Sequence, residues 1–73
     1  MLGRPKLTPA QRAEHRRIGR EVRALRRALG LTQRQLAEEI GIHSQQVSAS
    51  ERGAASAPPA LRGWLAQRQG GTR

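Results

Sequence analysis

Apolar residues return at helical spacing in four separate stretches of the chain, and nowhere do they alternate as a strand requires. Ile18, Val22, Leu25 and Leu29 form one stripe and predict a helix from about Pro9 to Leu29. Thr8 suits the N-cap, Pro9 the first helical position, and Gln11 completes a capping box. Gly30 is the expected stop. The stripe fades before Ile18, so residues 9–16 are expected either as a solvated helical extension or as a frayed end, and Gly19 permits a break. Thr32 and Gln35 form a second capping box, ahead of a short helix with Leu36, Ala37 and Ile40 inward and Gly41 at its end. A third helix begins at His43 or Ser44 and runs to about Arg52, anchored by Val47 beside the small Ala49 and Ser50, with Gly53 as its stop. After residues 54–57, Pro58 and Pro59 open a fourth helix with Leu61, Trp64 and Leu65 on one face and Gly63 as a weak point. Gly3 and Pro5 oppose helix at the start, so the predicted organisation is a flexible basic arm (1–7), one helical domain (8–69) and a frayed tail (70–73).

Composition narrows what such a domain can do. At 73 residues the chain holds one small core, and cores of this size are only marginally stable. Without cysteine, neither disulfides nor a Cys-based zinc site can supplement it, and His15 has no partner at metal-ligand spacing, so no metal and no cofactor is expected. No apolar run is long enough to span a bilayer, and the first residues lack the apolar core of a signal peptide. The expected compartment is cytoplasmic, in a bacterial cell or a phage-infected host. The net charge is +9, and 13 of the 14 basic residues are arginine. That balance points to a polyanion, nucleic acid ahead of membrane, although a GC-rich genome also enriches arginine. No amphipathic helix with large exposed aromatics favours a membrane partner.

The charge is unevenly placed. Residues 31–53 carry a net −1, whereas residues 8–30 carry +5; Arg4 and Lys6 precede them, and Arg62, Arg68 and Arg73 follow. Two short helices joined through Gly41, in the nearly neutral segment, form the core of a helix-turn-helix. In that arrangement one helix crosses the phosphate backbone while the next offers its side chains to base edges in the major groove. Phosphate contacts supply affinity and base contacts supply sequence choice, and this chain assigns the two to different segments.

The ordered set Thr32-Gln33, Leu36-Ala37, Gly41-Ile42, Val47-Ser48 and Glu51-Arg52-Gly53 resembles the Cro/repressor-type helix-turn-helix family of phage and bacterial regulators. The likeness covers residues 18–66. It implies an all-α, lambda-repressor-like domain of four compact helices, or five. It also implies that Ser44, Gln45, Ser48 and Ala49 read bases, with Gln45 able to pair with adenine through its amide. Gln33 falls where the family contacts phosphate and braces the reading helix. His43, Gln46, Arg52 and Ser56 are further expected phosphate contacts, with His43 a weaker cap than the usual Ser or Thr. Arg26 and Glu51 resemble a structural ion pair that ties the first helix to the end of the reading helix. The segment Gly3-Arg4-Pro5-Lys6 resembles minor-groove arms, and a disordered basic tail reads equally well.

Three departures from the family pattern matter. Ser50 replaces a large apolar residue, leaving the core thinner there or filled by Trp64. The loop after Gly53 has no basic residue. The fifth helix that often builds the family's dimer interface is expected to be missing or reduced, and a weak dimer stabilised by DNA is expected through the fourth helix around Leu61 and Trp64, or through the N-terminal extension. The function expected is sequence-specific repression, as a homodimer on double-stranded DNA with an inverted-repeat operator. The alternative is an antitoxin-like or adaptor protein whose main partner is another protein and which represses its own operon; an apolar patch around Trp64 would favour it. An RNA-binding domain is disfavoured for want of stacking aromatics. Activation stays open. No nucleophile–base pair or phosphate loop suggests an enzyme.

Overall fold

Thr8 sets the start of the first helix. Its hydroxyl accepts from the Gln11 backbone N–H at 3.0 Å, and the Gln11 side chain accepts from the Thr8 N–H at 2.9 Å. Two otherwise unpaired donors are thus satisfied reciprocally. From there α1 runs Pro9–Ala28, followed by α2 (Gln33–Ile40), α3 (Ser44–Glu51) and α4 (Pro59–Gly70). The computed structural model describes residues 7–70. Arg4 and Lys6 of the expected arm, and residues 71–73 of the expected tail, lie outside the described residues. Every regular element among the described residues is a helix, and they make an all-α domain of four helices.

All four helices contribute to one core. Val22, Leu36, Val47 and Leu61 are fully buried, one from each helix, with Ala37, Ala57, Trp64 and Leu65 beside them. Ile18, Leu25, Leu31, Ile40 and Ile42 pack around this centre while partly exposed. Each large side chain buried this way contributes about 1.5–3 kcal/mol. The turn between α2 and α3 is made by Gly41, whose φ of 77° lies in the left-handed region. A side chain there would be strained, and the Ile42 N–H reaches back to the Ala37 carbonyl at 2.9 Å to close the helix end.

Three expectations need correction, and the alternative left open at residues 9–16 is decided for the helical extension. Leu29 is not part of the inward stripe: it caps the C-terminus of α1 and stays 47% exposed, because the chain turns at Gly30 before that position can reach the core. Gly19 does not break α1, and residues 9–16 are helical, with Arg16 packed on Gly53 beyond the end of α3. Gly63 likewise lies within an unbroken α4, and Gly70 is its last residue rather than part of a frayed end. Leu61 and Trp64 face inward, 0% and 4% exposed. They are already covered by the protomer's own core and cannot also serve as a dimer face.

Candidate nucleic-acid interface

The third helix starts on a weak cap. His43 is extended, and its imidazole makes no capping hydrogen bond. The Gln46 side chain compensates by accepting from the His43 backbone N–H at 2.9 Å, while the Gln46 N–H goes to the His43 carbonyl at 2.9 Å. Gln46 is therefore held against the helix start through its oxygen, and its amide N–H₂ points are left to other partners.

Val47 fixes the rotation of α3. It is fully buried, and at about 100° per residue this turns Gln45, Ser48, Ala49 and Arg52 to the outer side, while Ser44 stands on Val47's side of the wheel, in the open first turn. Ser44, Gln45 and Arg52 are exposed, and Ser48 and Ala49 half-buried. Arg52 donates to the Ser48 hydroxyl at 3.0 Å, so these two residues meet as a pair. Apart from Arg52 this outer side carries no charge. It presents amide and hydroxyl groups able both to donate and to accept, the chemistry that distinguishes base edges in the major groove.

The inner end of α3 is locked. Arg26 Nε donates to Glu51 Oε2 at 2.6 Å, and Arg26 Nη2 to Glu51 Oε1 at 3.1 Å. The side chains are 11% and 4% exposed. Arg26 Nη1 also donates to the Leu31 carbonyl at 2.7 Å, and Gln33 Nε2 to Glu51 Oε1 at 3.1 Å. One cluster thereby joins α1, the α1–α2 turn, the first residue of α2 and the last residue of α3. Buried charges persist only when paired and hydrogen-bonded, and the two-pronged arginine–carboxylate geometry is orientation-specific.

Gly19 allows this closeness, which the sequence reading missed. A Cβ there would collide with the Ser50 carbonyl oxygen and come within 2.8 Å of that of Glu51. The available signal was its register: Gly19 stands seven residues before Arg26, on the same side of α1.

Beyond α3 the loop bends back. Gln45, Gln46, Ala49, Ser50, Ala55, Ser56 and Pro58 line a mostly apolar groove of about 230 Å³. Trp64 does not fill this space. It lines a separate cleft with Glu39, Ile40, Pro59 and Arg68, and Arg68 stacks over its ring at 5.2 Å. Ser50 itself is 2% exposed. Its hydroxyl is buried with no hydrogen-bond partner among the described residues. Ser56 is exposed at the rim, on the same side as Gln45 and Gln46.

Of the expected contact residues, Gln45, Gln46, Ala49 and Ser56 line one groove, Ser48 and Arg52 pair on α3, His43 meets Gln46 at the helix start, and Gln33 reaches Glu51 at the helix's inner end. A family model described as Helix-turn-helix matches residues 22–62, more than half of the chain, from the second half of α1 to the first turn of α4. No curated protein matches the chain.

Proposed function

The chain belongs to the Cro/repressor-type helix-turn-helix family, whose members are DNA-binding regulators, and on that footing we propose that it is a sequence-specific repressor reading an inverted repeat as a homodimer. The observation that carries this reading is the contrast between the two sides of α3. Its inner side is fixed by Val47 and the Arg26–Glu51–Gln33 cluster, while its outer side is polar, carries Arg52 as its one charge, and is exposed at Gln45. A rigidly held helix with free amides suits base recognition, because orientation is settled before DNA arrives.

In this reading Ser44, Gln45, Ser48 and Ala49 meet base edges, with Gln45 the main reader. Gln33, His43, Gln46, Arg52 and Ser56 meet the phosphates on either side, and Arg4 and Lys6 of the arm add minor-groove or backbone contacts. Arg26 and Glu51 act behind the surface by holding α3 in place. The protein-partner alternative drew on an apolar patch at Trp64, and that residue is buried.

Selection of bound duplexes from a random DNA pool tests the proposal. The expected result is one enriched motif, symmetric about a centre, with half-sites about 34 Å apart. A pool that shows no enrichment, or an asymmetric motif bound by one protomer, would rule it out.

A further inference from the structure

Helix α1 sorts its arginines by side. All five carboxylates of the chain are already engaged by other arginines: Glu14 and Glu21 with Arg17, Glu51 with Arg26, Glu38 with Arg34, and Glu39 with Arg68. The hydrogen bond and charge of Arg17 hold the Glu14 carboxyl below the ordinary carboxylate range. None of these carboxylates reaches Arg12, Arg16, Arg20, Arg23 or Arg27. Those five are exposed, and their only side-chain hydrogen bond among the described residues is from Arg12 to the Leu7 carbonyl at 3.3 Å.

The five recur every three or four residues, within an arc of about 80° at about 100° per residue. They form a single stripe about 22 Å long at 1.5 Å rise per residue, separated from the flank that carries the Glu14–Arg17–Glu21 group. Like charges at this spacing destabilise a helix by a small amount per pair, a cost that a bound anion would relieve. Its position is specific: the Arg16 stem packs on Gly53, immediately beyond the C-terminus of α3.

We propose that the stripe formed by Arg12, Arg16, Arg20, Arg23 and Arg27 is a phosphate track that grips the backbone of the duplex beyond the segment read by α3. The link to α3 rests on the function proposed above; the affinity for duplex phosphate does not. Guanidinium groups bind phosphate in two-pronged fashion, and the stripe spans about six base pairs at 3.4 Å each. Trp64, the only aromatic, is buried, so the stripe has no platform on which single-stranded bases could stack. The large apolar side chains left exposed among the described residues are Leu7 and Leu29, at opposite ends of α1, too few and too far apart for a membrane-seated face.

The test compares the full chain with Arg16→Gln/Arg20→Gln/Arg23→Gln, with the same three positions changed to Lys, and with Arg17→Gln as the control from the opposite flank. Binding is measured at several salt concentrations on a duplex selected from the random pool and on a mixed-sequence duplex. Helix content by circular dichroism checks the fold of each variant. The expected result is a fall of about 2.7 in the slope of log K against log salt for the triple Gln variant, at about 0.9 per lost contact. The fall should be equal on both duplexes, with little change for the Lys variant or for Arg17→Gln. Hydroxyl-radical protection beyond the selected motif should shorten in the triple Gln variant alone. An unchanged slope and footprint, with the selected motif retained, would overturn the track and leave the stripe for an acidic protein surface; a slope loss of about 0.9 in Arg17→Gln, as for one full contact, would overturn its orientation. A wild-type chain that enriches no motif, yet loses slope on the mixed duplex in the triple Gln variant, would keep the track and sink the reading assigned to α3.

Discussion

Gln45 is exposed on the outer side of α3, and nothing in the fold depends on its side chain. Gln45→Ala should weaken binding to a selected site by about 1–3 kcal/mol and relax preference at one base pair per half-site. Binding to mixed-sequence duplex should hardly change, and titration of both duplexes under one salt condition checks this. Glycines give a second residue-scale contrast. Alanine is the better helix former by about 1 kcal/mol, and at Gly63 a Cβ meets nothing within 4 Å. Gly63→Ala should therefore stabilise the domain by about 0.5–1 kcal/mol. At Gly19 the same methyl group would strike the backbone of Ser50 and Glu51. Gly19→Ala should destabilise by about 1–3 kcal/mol and shift α3 enough to impair DNA binding. Denaturant titration of the two variants decides the matter, and a stabilised Gly19→Ala would show that α1 and α3 do not approach as closely as described.

Between elements, the Arg26–Glu51–Gln33 cluster carries the orientation of α3. Removing one member of a buried ion pair strands the other, which costs about 3–5 kcal/mol. Glu51→Ala should have that effect, because Arg26 would keep only its bond to Leu31. Gln33→Ala removes a hydrogen bond to a residue that keeps its arginine partner, and should cost the fold only about 0.5–1.5 kcal/mol. The two substitutions should be non-additive, since both act on Glu51. Thermal unfolding of the single and double variants measures this directly, and simple additivity would mean that Gln33 does not brace α3.

At the scale of the whole molecule, a small core leaves little stability to lose. A domain of this size rarely gains more than about 3–5 kcal/mol from its core, and truncating a buried tryptophan costs about as much. Trp64→Ala should therefore unfold the protomer rather than merely separate a dimer. The check is loss of helical circular dichroism at every protein concentration; a folded, monomeric Trp64→Ala would return Trp64 to an interface. Two protomers per selected site are expected on DNA. Native mass spectrometry of the complex counts them, with any contact between protomers made by surfaces other than the inward side of α4.

Local physics made much of this chain legible. Thr8-Gln11 and Thr32-Gln35 declare helix starts because each capping box closes within four residues. Gly41 and Gly53 mark helix ends because a left-handed backbone there is a property of single residues. The motif from Thr32 to Gly53 marks the helix-turn-helix because its pattern is contiguous in sequence. The pairing of Arg26 with Glu51 and a bracing role for Gln33 were suggested by resemblance, but the burial of the pair and the bond that joins Gln33 to Glu51 became visible only when residues distant in the chain met. The same holds for Gly19, whose value lies in a helix that comes much later in the chain. It holds also for Leu29 and Trp64, alike in sequence as apolar positions on a helix yet assigned to solvent and core by where the chain turns. The sequence counts fourteen basic residues and five carboxylates; only tertiary structure decides which arginines those carboxylates neutralise, because charge pairing depends on distance in space rather than along the chain.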